Sequence, residues 1–296
     1  MTSGHITLRE FDNISSLLYE KSGIRLAGKE KMVIARLARK VRESGCGSIG
    51  EYYRNVVEDS TGQQLNGLID ALSTNHSGFL REPAHFDFLR TLVLSSTANS
   101  IRIWCAAAAT GEEPYTMAFS VLDALGPEAF ARVRILATDI STRALHAAKQ
   151  GIYAEARLSG VPADWLQKYM LRGTGRWEGS FRVKPEIRRM LEFRRLNLIE
   201  PFHHPEPFPV IFCRNVMIYF DKNTQARLVN RLVRALAPGG YLVVGHAESL
   251  TGIDHPLEYV SPATYRLQAE APPLSHAGNS TRGNRATATS RNGGGP

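Results

Sequence analysis

The run Trp104-Cys105-Ala106-Ala107-Ala108-Ala109-Thr110-Gly111-Glu112-Glu113-Pro114-Tyr115 follows the apolar segment Ile101-Arg102-Ile103 and leads into an amphipathic stretch. A strand that breaks into tiny residues and then enters a helix lets backbone N–H groups approach a nucleotide-like ligand. Phosphate fits poorly, because Glu112 and Glu113 sit where the helix N-terminus would otherwise hold it. The two carboxylates favour a cationic or hydroxyl-rich group. S-adenosylmethionine, with an amine, a sulfonium and no phosphate, meets those terms. Asp139 ends the next strand-like run, Ala137-Thr138-Asp139-Ile140. An acid there accepts both ribose hydroxyls of a nucleoside; alternatively, Asp139 or Ser141 caps the helix that follows. A later run ends in Cys213-Arg214-Asn215-Val216-Met217-Ile218-Tyr219-Phe220. Ligands of open parallel sheets lie outside the carboxyl ends of the strands, so Asn215 to Tyr219 are expected to face the chemistry, unless Tyr219 and Phe220 only pack the core.

The elements that must hold these residues alternate. Strands are predicted at Ile101–Cys105, Val133–Thr138, Leu191–Arg195, Val210–Cys213, Tyr241–Gly245, Leu257–Val260 and Thr264–Leu267, with helices near Glu113–Leu125, Ser141–Lys149 and Thr224–Leu236. That order implies a mostly parallel sheet covered on both faces. The last two strands are too close for a helical crossover and must form an antiparallel hairpin, an arrangement found in methyltransferase folds and not in dinucleotide dehydrogenases. Ahead of the sheet, Phe11, Ile14, Leu17 and Leu18, then Met32, Val33, Leu37 and Val41, then Tyr52, Val56 and Val57, then Leu65, Leu68, Ile69 and Leu72 fall at helical spacing. The division expected is a helical domain over 1–72, an interdomain segment over 73–95 with a helix from Pro83 to about Leu94, and an α/β domain over 96–270. An insertion at about 154–190 carries a helix near Pro162–Leu171 and a short strand at Ser180–Lys184. The tail 271–296, rich in Ser, Thr, Gly, Asn and Arg, is expected to be disordered.

The 296 residues are 43% hydrophobic, enough for a substantial core. No uninterrupted apolar run of about 18 residues occurs, and the N-terminus lacks a secretory pattern, so a cytoplasmic protein without membrane insertion is expected. Cys46, Cys105 and Cys213 are far apart and odd in number. They read as buried thiols, with neither a disulfide framework nor a CxxC metal site. His203-His204 lies among Pro201, Pro205 and Pro207 without a third ligand, which makes an exposed loop and no metal the expectation. Ala106 to Gly111 supplies no GxGxxG turn, and a nicotinamide enzyme is set aside. The net charge of +8 calls for an acidic partner.

Six segments in register resemble the chemotaxis receptor glutamate methyltransferases, the CheR family. They are Ser73-Thr74-Asn75-His76-Ser77-Gly78-Phe79-Leu80-Arg81-Glu82, the Ala-rich turn through Tyr115, Ala137 to Ile140, Asn197-Leu198, Phe212 to Asp221, and Gly245-His246-Ala247-Glu248-Ser249-Leu250. The resemblance spans roughly residues 10–267. It implies a class I S-adenosylmethionine-dependent methyltransferase fold, a small all-helical N-terminal domain and an inserted β-subdomain that helps dock the receptor. It further implies cofactor contacts at Asn75, Ser77, Arg81, Glu113, Asp139, Asn197, Leu198, Asn215 and Val216, with Asn197-Leu198 by the adenine. Arg81 and Tyr219 would flank the transferred methyl; the alternative for Arg81 is a surface ion pair with Glu82 or Glu10. The implied reaction is O-methylation of receptor glutamates, giving methyl esters and S-adenosylhomocysteine. A non-catalytic sensor that binds the same molecule is the alternative, resting on Ala107 and Ala109, where the family often has glycine or another small residue. An added methyl there is tolerable at negative φ and damaging at positive φ.

Two surfaces speak to partners. Lys29, Lys31, Arg36, Arg39, Lys40 and Arg42 crowd one predicted helix. They form either a solvated face or, beside the proposed site, a docking face for an acidic receptor helix. Nucleic acid is disfavoured, because Asn215-Val216-Met217-Ile218-Tyr219 is not the Asn/Asp-Pro-Pro-aromatic motif of enzymes that methylate its amino groups. Gly173-Thr174-Gly175 in the insertion suits an ordinary hairpin turn; in the family it resembles members whose subdomain also grips a receptor C-terminal peptide by strand addition. A monomer is the family default.

Overall fold

Thr7 starts the first helix with a capping box. Its hydroxyl accepts from the Glu10 N–H at 3.2 Å, and the Glu10 carboxylate accepts from the Thr7 N–H at 2.8 Å. The computed structural model describes residues 6–269, so the reading of the 271–296 tail lies outside the described residues. Four helices come first: α1 (Leu8–Ser22), α2 (Glu30–Ser44), α3 (Ile49–Glu58) and α4 (Gln63–Leu72). Their stripes meet in one core that includes Ile14, Leu18, Val33, Leu37, Tyr52 and Leu68. Val57, expected on the buried stripe, is 57% exposed, because Val56 takes the inward position. Gly23 ends α1 at φ 73°, and a Cβ there would lie 2.8 Å from Ile199 and 3.0 Å from Phe220. Only glycine lets α1 approach the rest of the chain so closely.

Next come α5 (Ala84–Ser95), β1 (Ile101–Cys105), α6 (Glu112–Leu125), α7 (Ala129–Arg132), β2 (Val133–Asp139) and α8 (Thr142–Gln150). The insertion holds β3 (Ile152–Ala154), α9 (Ala163–Tyr169), β4 (Met170–Arg172), β5 (Ser180–Val183) and α10 (Pro185–Arg188). The chain closes with β6 (Leu191–Arg195), β7 (Phe208–Cys213), α11 (Lys222–Ala235), β8 (Leu236–Val244), β9 (Leu257–Ser261) and β10 (Thr264–Leu267). The large sheet has seven strands in the order β6-β2-β1-β7-β8-β10-β9. Its first five are parallel, and β10 runs antiparallel to both β8 and β9. One face packs on α5, α6 and the insertion, the other on α11.

Two strand expectations need correction. β8 begins at Leu236 instead of Tyr241, passing through Pro238-Gly239-Gly240; a register shift against β7 between Phe208 and Val210 absorbs the two prolines. In the insertion the helix stops at Tyr169, and Met170–Arg172 forms an edge strand of a small antiparallel sheet ordered β3-β5-β4. Strands of three residues are too short to show alternation.

Candidate active site

Chain direction diverges from β1 to β2 on one side and to β7 on the other, which opens a crevice at the carboxyl end of β1. The Ala-rich turn is strapped across it. Ala106 N–H donates to the Phe212 carbonyl at 2.8 Å and Ala108 N–H to the Thr138 carbonyl at 2.9 Å. Ala109 sits at φ 46°, and its N–H donates to Asp139 Oδ2 at 2.8 Å. Ser141 N–H donates to Oδ1 at 2.9 Å, and the Ser141 hydroxyl, not Asp139, caps α8. Asp139 is therefore oriented from behind and left lining the crevice. Burial pushes its carboxyl up, against the pull of those two N–H groups.

Glu113, on the first turn of α6, faces Arg214 at the end of β7. Arg214 has a side chain with 0% exposure, donates to Glu113 at 2.7 Å and Glu82 at 3.0 Å, and reaches the Arg81 carbonyl at 2.5 Å. The Cys105 thiol donates to the other Glu113 oxygen at 3.3 Å. Burial raises Glu113, with the Arg214 charge opposing. Burial would raise Glu82 too, but the bond and charge of Arg214 outweigh it and hold Glu82 below the usual range. Glu112 corrects the expectation that both glutamates meet the ligand. It is buried and pairs with Arg157 of the insertion, away from the cleft, because neighbours on a helix point about 100° apart. Arg157 also donates to the Ser77 carbonyl at 3.3 Å.

Glu248 fastens the opposite lip. Its carboxylate accepts the N–H groups of Asn215 (2.8 Å), Val216 (2.8 Å), Met217 (2.7 Å) and Gly245 (2.6 Å). Leu80 (φ 53°), Glu82 (58°), Ala109 (46°) and Asn215 (56°) are four left-handed non-glycine residues clustered around one crevice. Sequence reasoning assigned no role to Arg214 or Glu248 and considered Glu82 only as a surface ion-pair partner of Arg81, although all three lie in the motif segments.

All ten residues singled out from the sequence line this single cleft: Asn75, Ser77, Arg81, Glu113, Asp139, Asn197, Leu198, Asn215, Val216 and Tyr219. Asn75 donates to the Ser141 hydroxyl at 3.2 Å. Asn197 donates to the Lys21 carbonyl and to Glu200, both at 2.8 Å, tying the cleft floor to α1. Arg81 is 40% exposed, with Nε 3.9 Å from Glu82. Lys29 Nζ lies 5.5 Å from the centre of the Tyr219 ring, and Ile24, Leu26 and Met32 add an apolar wall that sequence reasoning missed. Asp70 accepts from the Thr142 hydroxyl at 2.7 Å, clamping α4 to α8.

Other expectations shift. Arg36 donates to the Leu72 and Ser73 carbonyls, and Arg39 and Lys40 pair with Glu43, so the basic stretch of α2 is partly engaged within the protein. His204 is not in a free loop; its ring packs 4.5 Å from Trp104, while His203 is exposed. The three cysteines are buried thiols, and burial pushes Cys105 and Cys213 well up. Among the described residues no helix is long and apolar enough to cross a membrane.

The donor set fits S-adenosylmethionine: two buried carboxylates, Glu113 and Asp139, face the cleft where a phosphate-binding turn would present amides to an anion. Five parallel strands closed by an antiparallel pair, with that cleft at the carboxyl ends, define a class I S-adenosylmethionine-dependent methyltransferase. The family model described as the CheR methyltransferase all-alpha domain matches residues 9–73, and that of the CheR methyltransferase SAM binding domain matches residues 75–266. The chain belongs to the CheR methyltransferase family. It is 40% identical over 265 residues to chemotaxis protein methyltransferase 2 of Pseudomonas aeruginosa, covering 88% of this chain and 94% of that one. It is 39% identical over 262 residues to the chemotaxis protein methyltransferase of Salmonella typhimurium (88% and 90% covered) and 38% identical over 262 residues to that of Escherichia coli (88% and 91% covered).

Proposed function

We propose that this chain methylates glutamate side chains of chemoreceptors, giving glutamate methyl esters and S-adenosylhomocysteine. The supporting observation is a cleft lined by two buried carboxylates, Glu113, paired with Arg214, and Asp139, and by the more exposed cations Arg81 and Lys29, with Lys29 beside the Tyr219 ring. When bound, S-adenosylmethionine supplies an electrophilic methyl on a positive sulfur. Asp139 accepts ribose hydroxyls, Glu113 faces the amino-acid portion, Asn75 and Ser77 close over it, Asn197 and Leu198 border the adenine, and Asn215 and Val216 form the lip.

A glutamate with a pKa of about 4.3 is already an anionic nucleophile at neutral pH, so no base is required. Its oxygen forms a bond to the methyl carbon as the carbon–sulfur bond breaks, and the electron pair leaves with sulfur. Charge is neutralised in that step, which excluding water favours. Arg81 orients the acceptor carboxylate and Tyr219 holds it by a phenolic hydrogen bond, aligning reacting atoms at about 3 to 3.5 Å. Lys29, Lys31 and Arg42 are the cations of the α2 stretch with neither an ion pair nor a side-chain hydrogen bond among the described residues, and they offer an acidic receptor helix its docking face. The edge strand β4 beside Gly173 and Gly175 is open to strand addition by a receptor peptide. The turn itself also demands both glycines, since a Cβ at Gly173 would strike the Trp177 carbonyl and Gly175 has φ 59°. The protein acts in the cytoplasm as a monomer in this reading. Of the two alanines on which the non-catalytic sensor rests, Ala107 is not at positive φ, and Ala109, at φ 46°, still directs its N–H to Asp139.

The test is transfer of labelled methyl to chemoreceptor-containing membranes by wild type, Arg81→Ala and Asp139→Ala. Label that appears with wild type alone and is released by mild alkali as methanol is the expected result. Base-stable label would indicate a nitrogen acceptor, and cofactor binding without any transfer would leave only the sensor.

A further inference from the structure

Beside the cofactor cleft, one buried imidazole faces two acceptors. His85, on the first turn of α5, is 3% exposed. Its Nδ1 lies 3.5 Å from Glu82 Oε2, the Pro262 carbonyl also approaches its ring, and neither ring nitrogen completes a hydrogen bond. A neutral imidazole has one N–H and one lone pair, so it cannot donate to both oxygens. A bound cation resolves the mismatch.

The exposed His246 supplies another donor. Its ring centre lies 4.9 Å from that of His85, edge to face. One ligand atom each from Glu82, His85 and His246 lies within 4.8 Å of the others. Zinc in a tetrahedral site holds nitrogen and oxygen at about 2.0–2.1 Å, hence about 3.3 Å from each other. Glu82 and His85 already have nearly that spacing, and rotation of the exposed His246 closes the third position, with water in the fourth. We propose that Glu82, His85 and His246 form a binding site for a borderline divalent cation, with Zn2+ the ion best matched to these donors.

Arg214 sets the character of the site. It bonds the same Glu82 oxygen at 3.0 Å, yet it keeps Glu113 and the Arg81 carbonyl if Glu82 turns toward an ion. Its positive charge repels the metal, so occupancy is reversible and chelator-sensitive. An ion there also draws Glu82 away from Arg214 and from the His246 N–H, loosening the residue next to Arg81.

The test is titration of the metal-free, full-length protein with Zn2+ against a chromophoric chelator, and with Co2+ for its visible spectrum. Expected are one ion per chain, nitrogen and oxygen ligation without a thiolate charge-transfer band, and roughly tenfold or greater weakening in His246→Ala. His85→Gln, with its fold checked by circular dichroism, should weaken binding similarly. Equal affinity in wild type and His246→Ala, absence of saturable binding, or a thiolate band from the cysteines overturns the site. None of these readouts depends on methyl transfer.

Discussion

Ala109 carries the sharpest residue-scale question, because a left-handed alanine holds the amide that orients Asp139. Such a conformation costs about 1–2 kcal/mol for a residue with a Cβ, against about 0.5–1 kcal/mol of extra chain entropy lost by glycine. Ala109→Gly is expected to raise unfolding stability by up to about 1 kcal/mol with cofactor affinity retained, measured by denaturant titration and calorimetry. Arg214→Met should act in the opposite direction. It leaves Glu113 and Glu82 buried without their shared cation, a loss of roughly 3–5 kcal/mol in unfolding free energy. Glu113, Asp139 and Asn215 to Tyr219 were legible from residue type and strand ends, whereas Asn75, Ser77, Arg81, Asn197 and Leu198 were legible only through the resemblance to the CheR family. Arg214 was not, because its two carboxylate partners lie 101 and 132 residues away, and a single arginine after a strand carries no pattern. The misreading of Glu112 was avoidable from helix geometry alone.

At the scale of elements, several tethers hold the four-helix unit over the cleft, among them Asp70 to Thr142, Asn197 to the Lys21 carbonyl, and Tyr19 to Asp221 at the start of α11. The Tyr19 bond, assisted by the Thr224 N–H, holds Asp221 down at about 2. A depressed folded-state value contributes stability above the unfolded one, about 3.9, and that contribution disappears as pH falls through the folded value. Asp221→Asn is therefore expected to unfold more readily than wild type at neutral pH. The gap should narrow as pH drops from about 4 toward about 2, followed by unfolding midpoints across that range. The inner parallel strands were readable because their centres are apolar, whereas β6, at the sheet edge, buries only Leu191 and exposes Glu192, Arg194 and Arg195. The start of β8 was hidden by Pro238 and two glycines, and strands β3 and β4 of the insertion's small sheet by their length of three residues.

For the whole molecule, the cleft joins two cores that would otherwise be separate: the one among the helices, through Leu26 and Leu72, and the one on the α11 face of the sheet, through Ala106, Leu198 and Phe220. A ligand that touches both should stabilise them together. Saturation with S-adenosylhomocysteine at about 100 times its dissociation constant is expected to add about 2.7 kcal/mol and to shift unfolding as a single transition. Two transitions, with only the later one moved, would show that the helical unit does not share the ligand. Which units form was legible from periodicity; how they meet was not, because Gly23, Lys21 and Asp70 act only across the interface.

The Tyr19–Asp221 contact spans 202 residues, which makes the assembly of this cleft a matter of timing. At about 5–20 residues per second, a ribosome takes roughly 10–40 s to synthesise the chain between those two side chains. From the completion of α4 until they emerge, Ile199 and Phe220 are missing from the end of α1, where they pack closely on Gly23. The nascent chain thus carries an apolar surface that chaperones can recognise. It becomes a methyltransferase only once the last third of the polypeptide has left the ribosome.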